Sequence, residues 1–332
     1  MANLLVIAPQ NQRKFSLGLS RTIAKAAKDL NLEFELIETH KKGWTQIPKI
    51  MTAYSQCQCV VFVSLLQSNI LLTVLTFLSS KPAIWIAFGG DLYNKNYSRL
   101  IFNRLVKKIN IAIVSNEHEG QFVMQKFEIK ETKVILIPVY HSNGHPLISY
   151  FNPKKNIPEG KNEALHIFLG NNGYRSQRHQ EILNVLAEST SISRIGITCS
   201  YGDWVYINAI EDQYRANNRV IFYKDFMKSE DYIKHLDSYD IAIFNNERQQ
   251  GIQTILILLA LGKTIYICQE NGAINLLNEN SIHYFEVSDI LKSEKIKTIS
   301  GRKKTENKEK AILYMNDEIF SREFKDTLLS LI

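Results

Sequence analysis

Short aliphatic runs alternate with longer stretches whose apolar residues recur every three to four positions. Leu4–Ala8, Phe34–Glu38, Val60–Leu65, Ala83–Phe88, Ile109–Ser115 and Val134–Pro138 are predicted as strands. Leu17–Leu30, Ile47–Tyr54, Ile70–Leu78, Asn96–Lys107 and Glu119–Phe127 are predicted as the helices between them. Strand and helix in strict alternation imply a parallel sheet covered on both faces.

The pattern stops between His141 and Glu163, where Pro146, Pro153 and Pro158 stand among Asn, Gly and Lys. Proline removes a backbone donor and forbids regular pairing, so this stretch reads as an interdomain linker. Alternation then restarts. Leu165–Leu169, Ser193–Thr198, Val220–Phe222, Ile241–Phe244, Thr264–Ile267 and His283–Phe285 are predicted strands. Gln177–Glu188, Val205–Asn217, Ser229–Leu236, Gln250–Leu261 and Ala273–Asn278 are the predicted helices, and Lys310–Leu331 is predicted as a last amphipathic helix. The expected organisation is a first Rossmann-like domain over 1–145, a linker over 146–163, a second such domain over 164–305 and a C-terminal helix over 306–332. Two doubly wound halves leave a cleft at the C-terminal ends of their strands, where ligands of open α/β sheets bind. Nucleotide-sugar transferases, sugar-nucleotide epimerases and bilobed binding proteins all share that plan.

At 332 residues with 45% hydrophobic and 22% charged residues, the chain is neither disordered nor fibrous. The net charge of +7 suits an anionic ligand or a membrane surface and does not demand nucleic acid. The first residues read as a strand rather than a signal peptide, because no basic segment precedes the apolar run. The longest apolar stretch, Val60 to Phe88, is broken by Gln67, Ser68 and Asn69 and again by Ser79–Pro82, so no transmembrane helix is expected. Cys57, Cys59, Cys199 and Cys268 lack metal-ligand spacing and read as buried, reduced thiols of a cytosolic protein.

Three loops carry the candidate chemistry. Gly170-Asn171-Asn172-Gly173-Tyr174-Arg175-Ser176 follows a predicted strand and opens a helix, with Ser176 a candidate N-cap. Glycines let backbone N–H groups approach an anion, a helix N-terminus adds positive charge, and Arg175 can add a charged hydrogen bond. The alternative is an ordinary turn in which Asn-Gly supplies positive φ. Asn245-Asn246-Glu247-Arg248-Gln249-Gln250-Gly251 repeats the arrangement, and Arg248 there is placed to meet the phosphates of a leaving nucleoside diphosphate. Its bland reading is a capped helix with a surface arginine. Phe88-Gly89-Gly90-Asp91 ends a strand in the first half; Asp91 is a candidate base for an attacking hydroxyl or else a loop-ordering carboxylate. His118 and Glu119 form a weaker alternative pair. No Asp-x-Asp motif is present to hold a divalent metal, so no metal site and no cofactor is expected, and diphosphate charge falls to arginine and helix ends. The chain has no G-x-G-x-x-G, no P-loop and no G-x-S-x-G, which counts against a dehydrogenase, a P-loop enzyme and an α/β-hydrolase.

In these motifs the chain resembles the bacterial TDP-N-acetylfucosamine:lipid II N-acetylfucosaminyltransferases, glycosyltransferase family 56, of enterobacterial common antigen assembly. The matching stretches are Ile84–Tyr93, Leu169–Ser176, Arg248–Thr254 and Gln269–Asn271, in order and in approximate spacing. The resemblance implies the GT-B fold, with a TDP-sugar donor held by the second domain and a polyprenyl-diphosphate-linked saccharide acceptor by the first. It also implies a metal-independent transferase, peripheral at the cytoplasmic membrane face. It assigns donor binding to Gly170, Asn171, Gly173, Arg175, Ser176, Arg248, Gln250 and Gly251, with Glu270 and Asn271 beside them, and acceptor activation to Asp91. The nucleobase is expected near Tyr201–Gly202 or Asp225–Met227. A basic, amphipathic run around Arg99, Arg104, Lys107 and Lys108 is the candidate membrane contact, or else a helix packed on the sheet. Two rival functions are a non-catalytic nucleotide-sugar or saccharide-binding protein and a sugar-nucleotide epimerase.

Overall fold

The structure, a computed structural model, describes residues 3–9, 13–39, 43–65, 80–87, 92, 99–137, 164–247, 249–293 and 296–332. The expected helix Ile70–Leu78, the proline-rich linker, Asp91 and Arg248 lie outside these. The chain divides into two compact units, Met1–Pro146 with Met315–Ile332, and Leu147–Tyr314.

The described strands of the first unit are β1 (Asn3–Pro9), β2 (Glu33–Thr39), β3 (Cys59–Val63), β4 (Ala83–Ile86), β5 (Ile111–Val114) and β6 (Val134–Leu136). They form one parallel sheet in the order β2-β1-β3-β4-β5-β6. The central strands β3, β4 and β5 are buried at every position, which requires cover on both faces and explains their unbroken apolar sequence. Alternate residues serve the two faces: Leu5, Ile7, Phe62 and Trp85 pack on one, Leu4, Val6, Val61 and Ile84 on the other.

The second unit holds β7 (Leu165–Leu169), β8 (Ile192–Thr198), β9 (Val220–Tyr223), β10 (Ile241–Phe244), β11 (Thr264–Ile267) and β12 (Phe285–Glu286). Its parallel order is β12-β11-β10-β7-β8-β9. The chain winds outward from β7 through β8 and β9, then returns to β10 on the other side of β7. The strand order therefore reverses between β7 and β10, and loops leaving such a switch point diverge to opposite faces and open a crevice.

Two expectations change. Lys310–Leu331 is not one helix: Gly301–Tyr314 ends, and a new helix Asp317–Leu329 begins at Asn316, whose side chain accepts the Glu318 N–H at 3.0 Å. This second helix buries Phe320, Phe324 and Leu328 with Leu19, Ile23 and Ala27 on the first unit's sheet. The run around Arg104 is the helix Arg99–Lys108, and its apolar stripe is already used. Phe102, Leu105 and Val106 are buried in the core, and Phe102 meets Trp85 edge-on with ring centroids 5.9 Å apart. Arg104, Lys107 and Lys108 form a solvated face, with Lys107 3.0 Å from Glu128. The packed-helix reading holds, because an interfacial helix needs its apolar stripe unsatisfied by protein. Among the described residues no helix is long and apolar enough to cross a membrane. All four cysteines are buried and unpaired.

Candidate functional site

The adjacent strands β7 and β10 deliver two loops side by side, with Leu169 in register with Ile243. Gly170 opens the first loop at φ 68°, and its N–H donates to the Ile243 carbonyl at 3.0 Å. A Cβ there would lie 2.7 Å from His179 Nε2 and 2.8 Å from Gln177 Oε1, so both conformation and space require glycine. Gln177 Nε2 donates to Gln250 Oε1 at 2.7 Å, Asn171 N donates to Gln177 Oε1 at 3.4 Å, and Glu247 N reaches the Ser176 carbonyl at 3.3 Å. These bonds lace the loop after β7 to the loop after β10.

Gly251 then begins the helix Ile252–Ala260 at φ 75°, and as the cap residue it has no side chain to bond the first turn. The Asn171 amide lies against Gly251; a Cβ would meet it at 3.0 Å. A helix start without a capping side chain, bordered by glycine loops, presents backbone donors and partial positive charge to an anion.

Gly173 connects the first loop to the one after β8. Its N–H donates to the Tyr201 carbonyl at 2.8 Å, and its own carbonyl accepts the Asp203 N–H at 3.1 Å, a one-residue parallel bridge opposite Gly202. Arg175 Nε donates to Asp203 Oδ2 at 2.8 Å, and its guanidinium lies 5.4 Å from the Tyr206 ring centroid. That contact holds the Asp203 carboxyl below its ordinary range. Arg175 itself stays two-thirds exposed at the loop's mouth. Beside it, the Tyr201 and Phe226 rings stack nearly parallel, 8° apart, and Tyr174 meets Tyr201 edge-on. Phe226 stays 73% exposed beyond this stack. Burial raises the pKa of the Tyr201 hydroxyl, a push eased by the nearby Asn172 side chain of the glycine loop.

The sequence profile described as "4-alpha-L-fucosyltransferase glycosyl transferase group 56" matches residues 3–330. The chain belongs to this family. It is a glycosyltransferase. Anabaena HepE in complex with UDP has a similar structure, with a TM-score of 0.67 at 11% identity over all of both chains. S. aureus MnaA with UDP matches at 0.62 and 10% identity, covering 100% of this chain and 98% of that one. UDP-GlcNAc 2-epimerase from Neisseria meningitidis bound to UDP-GlcNAc matches at 0.56 and 11%, covering 99% and 100%. At such identities the likeness is one of fold, and the two parallel sheets are those of the GT-B type.

In this group 56 enzyme the structure brings Gly170, Asn171, Gly173, Ser176, Gln250 and Gly251 together at one switch point, with Arg175 at the rim. Arg248 sits in sequence between described members of the second loop. Ser176 is not an N-cap: residues Arg175–Gln177 form a 3-10 turn, and the helix His179–Leu186 starts after Arg178 without a side-chain cap. After β11, Glu270 is well exposed and its Oε2 accepts the Cys268 S–H, whereas Asn271 is fully buried and its Oδ1 accepts the Ala273 N–H at 3.0 Å. Asn271 thus shapes the loop from beneath.

The pairing of His118 with Glu119 dissolves. Asn116 Oδ1 accepts the Glu119 N–H at 2.9 Å, and Glu119 Oε2 accepts the Ser115 N–H at 3.1 Å, so the buried carboxylate closes a helix start while His118 faces solvent.

Two residues escaped the sequence reading. His179 is wholly buried under Gly170. Neither of its ring nitrogens has a hydrogen-bond partner among the described residues. Burial lowers its pKa to about 4, a push only softened by the nearby Asn172 backbone. Arg178, the preceding residue, holds φ 49° and reaches across the strand ends to Asn245. A histidine and an arginine in a polar run give no sequence signal of either role.

Proposed function

We propose that this glycosyltransferase moves a deoxyamino sugar of the N-acetylfucosamine type from TDP to a polyprenyl-diphosphate-linked saccharide, working peripherally at the cytoplasmic membrane face. The observation that carries the donor half is the laced pair of loops after β7 and β10, with a helix N-terminus whose cap, Gly251, has no side chain. The diphosphate lies against the backbone donors of 170–176 and 250–252, with Arg175 and Arg248 supplying charge. The nucleobase stacks on the exposed Phe226–Tyr201 pair, one loop away across the Gly173–Gly202 bridge. Glu270 accepts hydroxyl hydrogen bonds from the sugar.

In the reaction the acceptor hydroxyl attacks the anomeric carbon while Asp91 takes its proton. The bond from that carbon to the diphosphate oxygen breaks, and charge gathers on the leaving diphosphate, where Arg248 and the loop amides meet it. No step uses a metal. Incubation with EDTA is expected to leave turnover intact, and loss restored by Mg²⁺ contradicts this part.

A donor screen tests the reading. Thermal stabilisation and hydrolysis are compared for TDP-, UDP-, GDP- and CMP-sugars. TDP-N-acetylfucosamine is expected to stabilise most, and transfer is expected only when a polyprenyl-diphosphate-linked saccharide is added. Epimerisation of the donor without acceptor favours the epimerase reading, and binding without turnover favours a binding protein. Equal response to all four nucleotides sinks the donor assignment.

A further inference from the structure

Arg178 occupies a left-handed conformation, φ 49° and ψ 42°, with a side chain only 22% exposed. A non-glycine residue there costs about 1 kcal/mol and persists only where its surroundings fix it. Most of the fixing contacts are on the guanidinium. Nε donates to the Asn245 carbonyl at 2.8 Å and Nη2 to Asn245 Oδ1 at 3.2 Å. Asn245 replies through Nδ2 to the Arg178 carbonyl at 3.4 Å and to Glu181 Oε2 at 3.0 Å. Nη2 also meets Cys268 Sγ and stands 3.7 Å from Glu270 Oε2, and Glu181 lies 3.9 Å from Nε. One side chain therefore touches the loops leaving β7, β10 and β11, three neighbouring strands of the sheet. Glu270 keeps an exposed carboxylate at the far end of this clasp, and Cys268 and Arg178 hold that carboxyl below its ordinary range.

We propose that Arg178 is a positioning residue for the transferred sugar: it sets the Glu270 carboxylate in register with the diphosphate loops, and so governs recognition of the sugar rather than of the nucleoside diphosphate. This rests on the donor-site reading above. The Nε and Nη2 donors of Arg178 are engaged by Asn245 and Cys268, with Glu270 3.7 Å from Nη2.

The test is a double-mutant cycle with Arg178→Lys and Glu270→Gln. Calorimetry gives the affinity for TDP alone, and steady-state transfer gives KM and kcat with TDP-N-acetylfucosamine. Arg178→Lys is expected to leave TDP affinity within about threefold and to lower kcat/KM for the sugar nucleotide about 10- to 100-fold, the range of a lost charged hydrogen bond. Glu270→Gln is expected to do the same, and the double variant to be no worse than the worse single one. Equal weakening of TDP and TDP-N-acetylfucosamine by Arg178→Lys overturns the proposal, as do single effects that multiply in the double variant. If Arg178→Lys does not fold, Glu270→Gln alone decides: it leaves the Arg178–Asn245 clasp in place, and normal kcat/KM in it removes the carboxylate that Arg178 is said to position. If the wild type binds UDP in place of TDP, the donor assignment falls by itself, and the same comparison runs between UDP and its sugar nucleotide. A wild type that binds neither overturns both.

Discussion

Two helices start directly beyond central strands, one in each unit, and their first turns are completed in opposite ways. At Glu117–Phe127, beyond β5, Asn116 and Glu119 satisfy the backbone donors with their own side chains. At Ile252–Ala260, beyond β10, the first position is Gly251, which has no side chain to offer. Both sit at the C-terminal end of a parallel sheet, where ligands gather. The first is chemically closed. The second has a cap residue without a side chain, and its neighbours Gly170, Gly173 and Gly202 stand where an added Cβ would clash. The presence of a helix end at a sheet's rim thus says little about function; what its cap does with the spare amides says a great deal.

The contrast can be broken most severely at the glycines. A Cβ on Gly202 would lie 2.4 Å from the Gly173 backbone, at φ 140°. Gly202→Ala is expected to cost about 3 kcal/mol or more and to abolish nucleotide binding. A melt midpoint and TDP affinity both unchanged in this variant contradict the bridge between the two loops.

Next in size is the acid response of the open loop's foundation. His179 has a folded pKa of about 4 against an ordinary 6.5. Below pH 6.5 the unfolded chain takes up a proton that the folded chain refuses. The stability tied to this residue is therefore complete above pH 6.5 and drains away as pH falls toward 4, by up to about 3 kcal/mol. Urea melts between pH 7 and 4.5 are expected to show a steeper loss for wild type than for His179→Asn. Parallel curves contradict the buried, neutral imidazole.

Arg248→Ala sharpens the open end directly. It is expected to weaken TDP by about 1.5–3 kcal/mol with the fold intact, as removal of a charged hydrogen bond does. Wild-type affinity in the folded variant excludes Arg248 from the diphosphate site. The smallest effect belongs to the closed end. Asn116→Ala removes a cap worth about 1 kcal/mol and is expected to lower stability with no change in TDP affinity; a change in affinity would mean that the first unit's helix start also serves the nucleotide.

Much of the architecture was legible because strand burial writes itself into local sequence. β3, β4, β5, β10 and β11 are almost wholly apolar runs, and their alternation with helices announces parallel sheets. The loops at 170–176 and 245–251 were legible for a related reason, since positive φ and close approach favour glycine within a few residues of a strand end. The clasp of Arg178 on Asn245 was not, because it joins residues 67 positions apart and depends on a left-handed arginine that no local rule predicts. Glu119 was misread as half of an acid–base pair because a capping carboxylate and a catalytic one look alike until their partners are seen. The amphipathic helix around Arg104 was ambiguous for a similar reason: sequence shows that an apolar stripe exists, and only packing shows what fills it.

The placement of Asp317–Leu329 on the first unit bears on how the protein is made. Phe320, Phe324 and Leu328 cover the same sheet face as the helix Arg13–Asp29. During synthesis that face stays partly bare until residues 317–329 have left the ribosome, whereas every described strand of the second unit has emerged by Glu286. The half that begins first is therefore finished last. A nascent chain stalled after Tyr314 would carry a complete second unit and an unfinished first one, the form that chaperones and proteases meet.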